Sequence, residues 1–278
     1  MLRRAVIFRL LTILYCVFAL MPVYGKEQVA YKEILELPFI EAQKWMSYGD
    51  DPLQKIGVWP AAQHSEAHET ALVFIHGGCW LNAFDYHHAK GMYSALASQG
   101  MDVYVISYRR TGDEGGGWPG TFNDITNALS HLSAYWQKTT IPMKKVLAGH
   151  SAGGHLALLA GQHNRAEMPT FDKVIGLAAI TDVTTYAVGE NSCQTATPAF
   201  FDGTPAEKAD DYADATPHLT ENTGMFVTLH GDQDNIVPVK HAYLSNATAM
   251  IVNGGGHFDW LHPETPSFRQ FLTIIKEE

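Results

Sequence analysis

The stretch VLAGHSAGGHLALLAG, residues 146–161, places a serine between two glycines at the point where an apolar run meets a helical pattern. Glycine inside a strand or a helix destabilises that element by roughly 0.5–1 kcal/mol relative to alanine. A tight strand-to-helix turn that lifts a serine off a sheet needs small neighbours on both sides, and Gly149 and Gly153 supply them. The stretch therefore predicts a nucleophile elbow, with Ser151 as the candidate nucleophile at the N-terminus of a helix.

Outward from this stretch, the chain alternates apolar runs with longer helical patterns, which is typical of an α/β fold with a mostly parallel sheet and helices on both faces. The predicted strands are QKIGVWPA, TALVFIH, DVYVISY, KKVLAGH, DKVIGLAAI, GMFVTLHG and TAMIVNGG. The predicted helices are HHAKGMYSALASQG, FNDITNALSHLSAYWQK, AGGHLALLAGQH and a last one from 263 to 276. Residues 183–222 lack a clear period, and a patternless stretch of that length predicts a small cap inserted into one domain, residues 26–278.

Residues 1–25 predict a secretory signal peptide. A basic start precedes the apolar run LLTILYCVFAL at 10–20, and Gly25 is a small residue that suits cleavage before Lys26. The run is shorter than the about 20 apolar residues that a membrane span needs, although an uncleaved N-terminal anchor is the alternative. We expect an exported protein, periplasmic or secreted, with no stable membrane insertion after cleavage.

The composition and charge limit the classes of ligand and partner that we expect this protein to bind. Hydrophobic residues make up 46% and charged residues 17% of the 278 positions, which is ordinary for a globular protein. The net charge of −10 argues against binding to nucleic acid. No Cys/His spacing indicates a zinc site, so we expect no metal and no cofactor. Beyond the leader, Cys79 and Cys193 could form a disulfide, but two cysteines do not establish one. The sequence does not indicate an oligomeric state.

A serine nucleophile needs a base, and His257 is the best placed of the histidines. It follows NGGG just after the predicted strand TAMIVN, at the carboxyl edge where open α/β sheets hold their sites. His150 lies inside the elbow, and its position predicts a side chain that points away from Ser151 and takes no part in its reaction.

The acid that orients the base is expected in LHGDQDNIVP, which follows another predicted strand. We favour Asp234, because the order Ser151, Asp234, His257 is that of an α/β-hydrolase triad. The alternatives are Asp232, Asp182 and Asp259.

Negative charge that develops on a substrate carbonyl needs hydrogen-bond donors. The loop FIHGGCW follows the first buried strand, and its glycines allow backbone N–H groups to approach a substrate. We predict an oxyanion hole formed by the N–H groups of Gly78, Cys79 and Ala152. Aromatic side chains near these motifs could line a substrate pocket: Trp80, Trp118, Phe258 and Trp260.

Together the motifs YGDDPLQKIGVWPA, FIHGGCW, ISYRR, GHSAGGHLALL, HGDQDNIVP and GGGHFDW resemble, in order, α/β-hydrolase esterases of the hormone-sensitive-lipase and kynurenine-formamidase type, including the feruloyl-esterase-like bacterial branch. The resemblance covers roughly residues 47–275. It implies an α/β-hydrolase fold and a Ser-His-Asp triad, and it says less about the substrate. Cys79 departs from the pattern, because many relatives carry glycine or an aromatic residue there.

These features predict an exported serine hydrolase that cleaves small-molecule carboxylic esters through an acyl-enzyme intermediate. One alternative is an arylformamidase-type amide hydrolase with the same triad, although a signal peptide fits poorly with a cytosolic formamidase. The alternative from a different class is a catalytically silent binding module on a hydrolase fold. An intact set of Ser151, Asp234 and His257 argues against that module.

Overall fold

The computed structural model describes residues 28–62, 70–139, 144–163, 166–221 and 225–277, and the predicted leader lies outside them. Within these ranges the chain forms one sheet of eight strands flanked by helices. The strands are β1 (Lys44–Ser47), β2 (Lys55–Trp59), β3 (Thr70–Ile75), β4 (Met101–Ser107), β5 (Lys144–His150), β6 (Lys173–Leu177), β7 (Phe226–Gly231) and β8 (Thr248–Val252). The helices are α1 (Tyr31–Leu35), α2 (Lys90–Ser98), α3 (Gly120–Trp136), α4 (Ala152–Gln162), α5 (Val183–Tyr186), α6 (Ser192–Phe200), α7 (Ala209–Ala215) and α8 (Pro266–Lys276).

The sheet has the strand order β1-β2-β4-β3-β5-β6-β7-β8. The first two pairings are antiparallel, and all pairings from β4 to β8 are parallel. The predicted mostly parallel sheet is confirmed, and each predicted strand is present. The sequence did not predict β1, because this edge strand buries only Met46 and shows no apolar run. The carboxyl ends of the parallel strands all meet at one edge of the sheet.

Side chains of each central strand alternate between two apolar layers, as a strand's period of two requires. In β3, Val73 and Ile75 join the layer that α3 and α4 cover. Leu72 and Phe74 point to the other layer, which α2 and α8 cover. The predicted helices on both faces are therefore present. None of the helices in the described ranges is both long and apolar enough to cross a membrane.

The stretch 183–222 contains α5, α6 and α7, connected by irregular segments, between β6 and β7. These helices have 4, 9 and 7 residues. Helices α5 and α7 complete too few turns to show a clear helical period, and α6 contains Pro198, a residue that interrupts a helical pattern.

Helix α8 begins three residues later than the prediction of a start at Pro263. The side chain of Thr265 caps it by accepting the N–H of Phe268 over 3.1 Å, and Pro266 occupies the first helical position. Proline suits that position because its missing N–H would lack a helical partner there.

Candidate active site

Ser151 occupies the turn between β5 and α4, with φ of 56° and ψ of −120°. A backbone conformation of this kind costs about 1–3 kcal/mol and persists only where its surroundings enforce it. A Cβ at Gly149 would collide with the carbonyl oxygen of Gly153, and a Cβ at Gly153 would collide with that of Ile75. Both flanking positions therefore have to be glycine, which explains the motif that predicted the elbow.

Asp234 and His257 meet at the same edge of the sheet, from the loops after β7 and β8. The Nδ1–H group of His257 donates to Oδ2 of Asp234 over 2.7 Å. Oδ1 of Asp234 accepts the backbone N–H groups of Ile236 and Val237 at 2.9 and 2.8 Å. Burial alone would raise the pKa of the Asp234 carboxyl, but the His257 imidazole and the backbone donors outweigh it and lower that pKa below its usual value. A carboxylate so held fixes the ring of His257 with Nδ1 protonated and Nε2 available to accept a proton.

The other candidate carboxylates hold backbone amides instead of the imidazole. Asp232 accepts the N–H of Gly254 over 2.7 Å. Asp182 accepts an N–H in the first turn of α5. Asp259 is fully buried and accepts backbone N–H groups from two segments of the chain. Among these carboxylates, the geometry favours Asp234 as the partner of His257.

His150 is a residue whose importance the sequence did not reveal. It directly precedes Ser151, and its Nε2–H donates to the backbone carbonyl of His257 over 2.9 Å. The two imidazole rings lie 4.6 Å apart between centroids. Burial, followed by the nearby His257, lowers the pKa of His150 well below its ordinary value, so His150 is neutral. The elbow and the loop that carries His257 are thus tied together.

The loop after β3 lies against the elbow. A Cβ placed on Gly77 would lie 3.2 Å from the Cβ of Ser151. The next three residues have φ values in the left-handed region, 115° at Gly78, 53° at Cys79 and 57° at Trp80. In the described part of the chain, no hydrogen bond uses the backbone N–H of Gly78 or Cys79. The N–H of Ala152, at the first position of α4, has no partner within its helix. These are the donors predicted for an oxyanion hole.

A disulfide joins Cys79 to Cys193, with 5.2 Å between the Cα atoms. It connects the loop after β3 to α6 in the inserted stretch. On the same loop, the carbonyl of Trp80 accepts the N–H of Thr111 over 2.8 Å. The disulfide and the hydrogen bond from Thr111 therefore both hold residues 78–80 in their left-handed conformation. The sequence alone did not establish that the two cysteines form a disulfide.

The structure corrects part of the predicted substrate pocket. Trp80 and Trp260 are completely buried, so neither ring has surface to offer a ligand. Trp80 stacks on Phe200 of α6 at 4.8 Å between centroids. Trp118 is half-buried, but it stacks on Phe122 at the start of α3. Trp80 and Trp260 therefore pack the interior, whereas Trp118 keeps partly exposed surface and stays a prediction for the pocket.

Phe258 does lie beside the site, with its half-buried ring 5.0 Å from the ring of His257. It belongs to an aromatic cluster with Tyr31 and Phe84, which are also half-buried. The ring of Tyr31 lies 5.4 Å from Phe258 and 5.8 Å from Phe84. The sequence did not indicate Tyr31, which lies far from the motifs, or Phe84, which follows the loop FIHGGCW by four residues but belongs to no motif.

A cavity of about 520 Å³ lies elsewhere, between the end of α4 and the starts of β6 and β7. This is the amino end of the parallel strands, and none of the predicted site residues lines the cavity. In the described ranges, no group of three or more His, Cys, Asp and Glu side chains is arranged to hold a metal ion.

Comparison with known proteins gives a consistent set of relatives. The model of the BD-FAE family matches residues 59–248. Esterase LipC of Mycobacterium tuberculosis is 28% identical over 213 residues, which cover 70% of this chain and 52% of LipC. The probable carboxylic ester hydrolase LipM of the same organism is 26% identical over 200 residues, covering 60% of this chain and 42% of LipM. The chain thus spans about half the length of the curated relatives that it matches.

Among solved structures, esterase B from Lactobacillus rhamnosis superposes with a TM-score of 0.68 at 20% identity, covering 88% of both chains. A truncated carbohydrate esterase from gut microbiota gives a TM-score of 0.66 at 21% identity, covering 86% of this chain and 97% of that one. At such identities the similarity establishes the fold. The predicted α/β-hydrolase fold is therefore confirmed.

Proposed function

The chain belongs to the BD-FAE family, and from this premise we propose that it is an exported serine hydrolase that cleaves small carboxylic esters. The observation that carries the proposal is the hydrogen bond from His257 to Asp234, at the sheet edge where Ser151 occupies its turn. Two relatives, the esterase LipC and the probable carboxylic ester hydrolase LipM, support the class of reaction.

In the proposed reaction, Oγ of Ser151 attacks the ester carbonyl and its proton passes to Nε2 of His257. Asp234 holds the imidazole in the required tautomer and stabilises the imidazolium that forms. The tetrahedral intermediate collapses by breaking the bond to the alcohol, which leaves with the proton from His257. Water then attacks the acyl-enzyme with His257 again as base, which releases the acid and restores Ser151.

The carbonyl oxygen becomes negatively charged in both steps, and the N–H groups of Gly78, Cys79 and Ala152 are proposed to stabilise it. Their position beside the N-terminus of α4 adds the favourable partial charge of a helix end. Removing one such donor in comparable sites costs about 2.7–4 kcal/mol of transition-state stabilisation. Cys79 contributes its backbone here, while its sulfur is bonded to Cys193.

Export is proposed from two independent features. The leader at 1–25 has the layout of a signal peptide. The disulfide between Cys79 and Cys193 belongs to an oxidising compartment, because cytosolic thiols are kept reduced. Both features fit a periplasmic or secreted enzyme.

The substrate is proposed to be a small ester with an aromatic group. The aromatic cluster of Tyr31, Phe84 and Phe258 lies beside His257 and presents partly exposed rings. Aryl esters of short acids also suit the chemistry, because their leaving groups need little protonation.

The proposal is tested with Ser151→Ala and aryl acetate or butyrate as substrate. Loss of a single triad member commonly lowers turnover by about 10⁴–10⁶-fold, and the fold should persist because only one oxygen is removed. A fluorophosphonate probe should label the wild type and leave the variant unlabelled. Turnover of the variant within about tenfold of wild type would remove Ser151 from this role.

The same protein should hydrolyse the aryl ester with a higher kcat/KM than N-formylkynurenine. A formamide demands more from the general acid, because its leaving nitrogen must be protonated. A clear preference for the formamide would replace the esterase proposal with an arylformamidase. Absence of both turnover and labelling would indicate a silent module.

A further inference from the structure

The loop that carries His257 begins with three consecutive glycines, residues 254–256, and each glycine is held by a different neighbour. The first donates its N–H to Oδ1 of Asp232 over 2.7 Å. The second accepts the N–H of Gln233 at its carbonyl over 3.0 Å. The third donates its N–H to Oδ2 of Asp259 over 3.0 Å. Glycine has the largest backbone freedom of any residue, so these bonds decide where the loop places His257.

The bond to Asp259 differs from the other two because it extends to a remote segment. Asp259 also accepts the N–H of Gln28 at 2.7 Å and that of Val29 at 2.6 Å. The whole of Asp259 is buried. A buried carboxylate is costly unless hydrogen-bond donors surround it, and charge-assisted bonds of this kind are the strong ones. Two of the donors to Asp259 come from the segment that leads into α1.

This segment, residues 28–35, packs firmly beside the site. Val29 and Ile34 are buried in the same apolar layer as Trp260. A Cβ placed on Gly256 would lie 3.0 Å from the Cα of Gln28, so the two backbones are in direct contact. The ring of Tyr31 lies 5.4 Å from that of Phe258. The segment therefore forms one wall of the loop that carries His257.

We propose that Asp259 is a positioning residue for His257, acting through Gly256 and dependent on the docked segment 28–35. The inference rests on the proposed function and adds a link between the N-terminal segment and the base. The carboxylate of Asp259 bonds to the backbone N–H groups of Gln28, Val29 and Gly256, and through Gly256 it fixes the backbone that carries His257. Misplacement of a catalytic group by about 1 Å can lower the rate on the order of 10²-fold, so a loosened loop would reduce turnover while substrate binding persists.

The first test substitutes Asp259→Asn in the full chain. Asparagine keeps an oxygen acceptor but loses the charge and one acceptor oxygen. The expected result is a fall in kcat of about 10–100-fold with KM nearly unchanged. Asp259→Glu keeps the charge but displaces the carboxylate, and it should also lower kcat. Lys32→Ala, at an exposed position of α1, is the matched control and should leave both constants unchanged.

The second test asks whether the segment and Asp259 act together. Ile34→Ala removes a buried side chain that docks α1 and should also lower kcat; because α1 carries Tyr31 of the aromatic cluster, only kcat enters this comparison. If Asp259 depends on the segment, the double variant with Asp259→Asn should lose less than the product of the two separate losses. A loss equal to that product would overturn the dependence on the segment.

A third measurement needs no substrate and is independent of the proposed function. The proton shared by His257 Nδ1 and Asp234 should give a far-downfield NMR signal, which Asp234→Asn removes and thereby assigns. In Asp259→Asn this signal should broaden or shift, whereas it should be unchanged in Lys32→Ala. An unchanged signal with kcat within about twofold of wild type would overturn the role of Asp259. If Asp259→Asn does not fold, the kcat and the NMR signal of Ile34→Ala decide the question. If Ser151→Ala kept its activity, the proposed function would fail while the NMR result still tested the positioning of His257.

Discussion

His150 bonds through its side chain to the backbone of His257, although 107 positions separate the two residues. The donor follows from the chemistry: a carbonyl oxygen only accepts, so Nε2 of His150 carries the proton. Strands β6 and β7 separate the strands that lead to these two histidines. The bond therefore fixes the position of the loop after β8 relative to the turn that holds Ser151.

Replacing His150 should lower turnover without abolishing it. We expect His150→Ala to reduce kcat by about tenfold or more, because the substitution removes the hydrogen bond that holds the backbone of His257 against the elbow. His150→Gln places an amide donor on a flexible side chain and should recover part of the loss. Steady-state kinetics on an aryl ester measure both. Equal kcat for wild type and His150→Ala would show that the bond has no role in positioning.

The two aspartates after β7 should respond differently to the same substitution. Asp234→Asn loses the charge that orients His257 and stabilises its cation, so turnover should fall by roughly 10⁴-fold. Asp232→Asn keeps an oxygen that can accept the N–H of Gly254 and should lose far less. Kinetics of the two purified variants provide the comparison. The reverse order of effects would reassign the acid to Asp232.

The parts of the site that the sequence predicted are those with a strong local pattern. The elbow was predictable because the close approach of backbone around Ser151 excludes any side chain at Gly149 and Gly153. His257 and Asp234 were predictable because each follows a buried apolar run, and parallel strands end at one edge.

The rest depends on contacts between distant segments, which no local pattern records. The hydrogen bond from the N–H of Val29 to Asp259 joins residues 230 positions apart. The sequence alone indicates Asp259 only as an alternative to Asp234 for the acid of the triad. The burial of Trp80 depends on stacking against Phe200 in the inserted stretch. The sequence of that stretch shows no helical period of apolar residues, so it did not predict the helix that carries Phe200. A tryptophan beside a motif is compatible with a pocket wall and with a core, so only the packing of the folded chain decides.

The disulfide should affect both stability and activity. It closes a loop between residues 114 positions apart, and cross-links of that span stabilise proteins by about 2–5 kcal/mol. Cys193→Ser should therefore lower the free energy of unfolding by that order, and kcat should fall because the N–H of Cys79 is less firmly placed. Chemical denaturation and ester kinetics measure the two effects. Thr195→Ala, at an exposed position of α6, is the control. Unchanged kcat in Cys193→Ser would limit the bridge to a role in stability.

Buried neutral histidines should make the fold sensitive to acid. Burial is the largest cause that lowers the pKa of His76 to about 3 and the pKa values of His88, His155 and His241 to about 4. An unfolded histidine titrates near about 6.5. Above that pH both states are neutral and these groups contribute nothing. Between about 6.5 and 4 the unfolded chain binds protons that the folded chain does not, so the free energy of unfolding falls as the pH falls.

The size of this effect follows from the linkage between proton binding and stability. Each such histidine contributes a slope that approaches about 1.4 kcal/mol per pH unit within the window. Urea denaturation at several pH values from 7.5 to 5 should show a steep loss of stability below about pH 6. His155→Gln removes one titrating group, whose Nε2–H donates to the carbonyl of Ala215 over 2.7 Å, and should make the slope shallower by that amount. Thr195→Ala, which removes no titrating group from an exposed position, should leave the slope as it is. A slope that is the same in His155→Gln and wild type would mean that His155 protonates equally in both states, because only a difference in proton binding can make stability depend on pH.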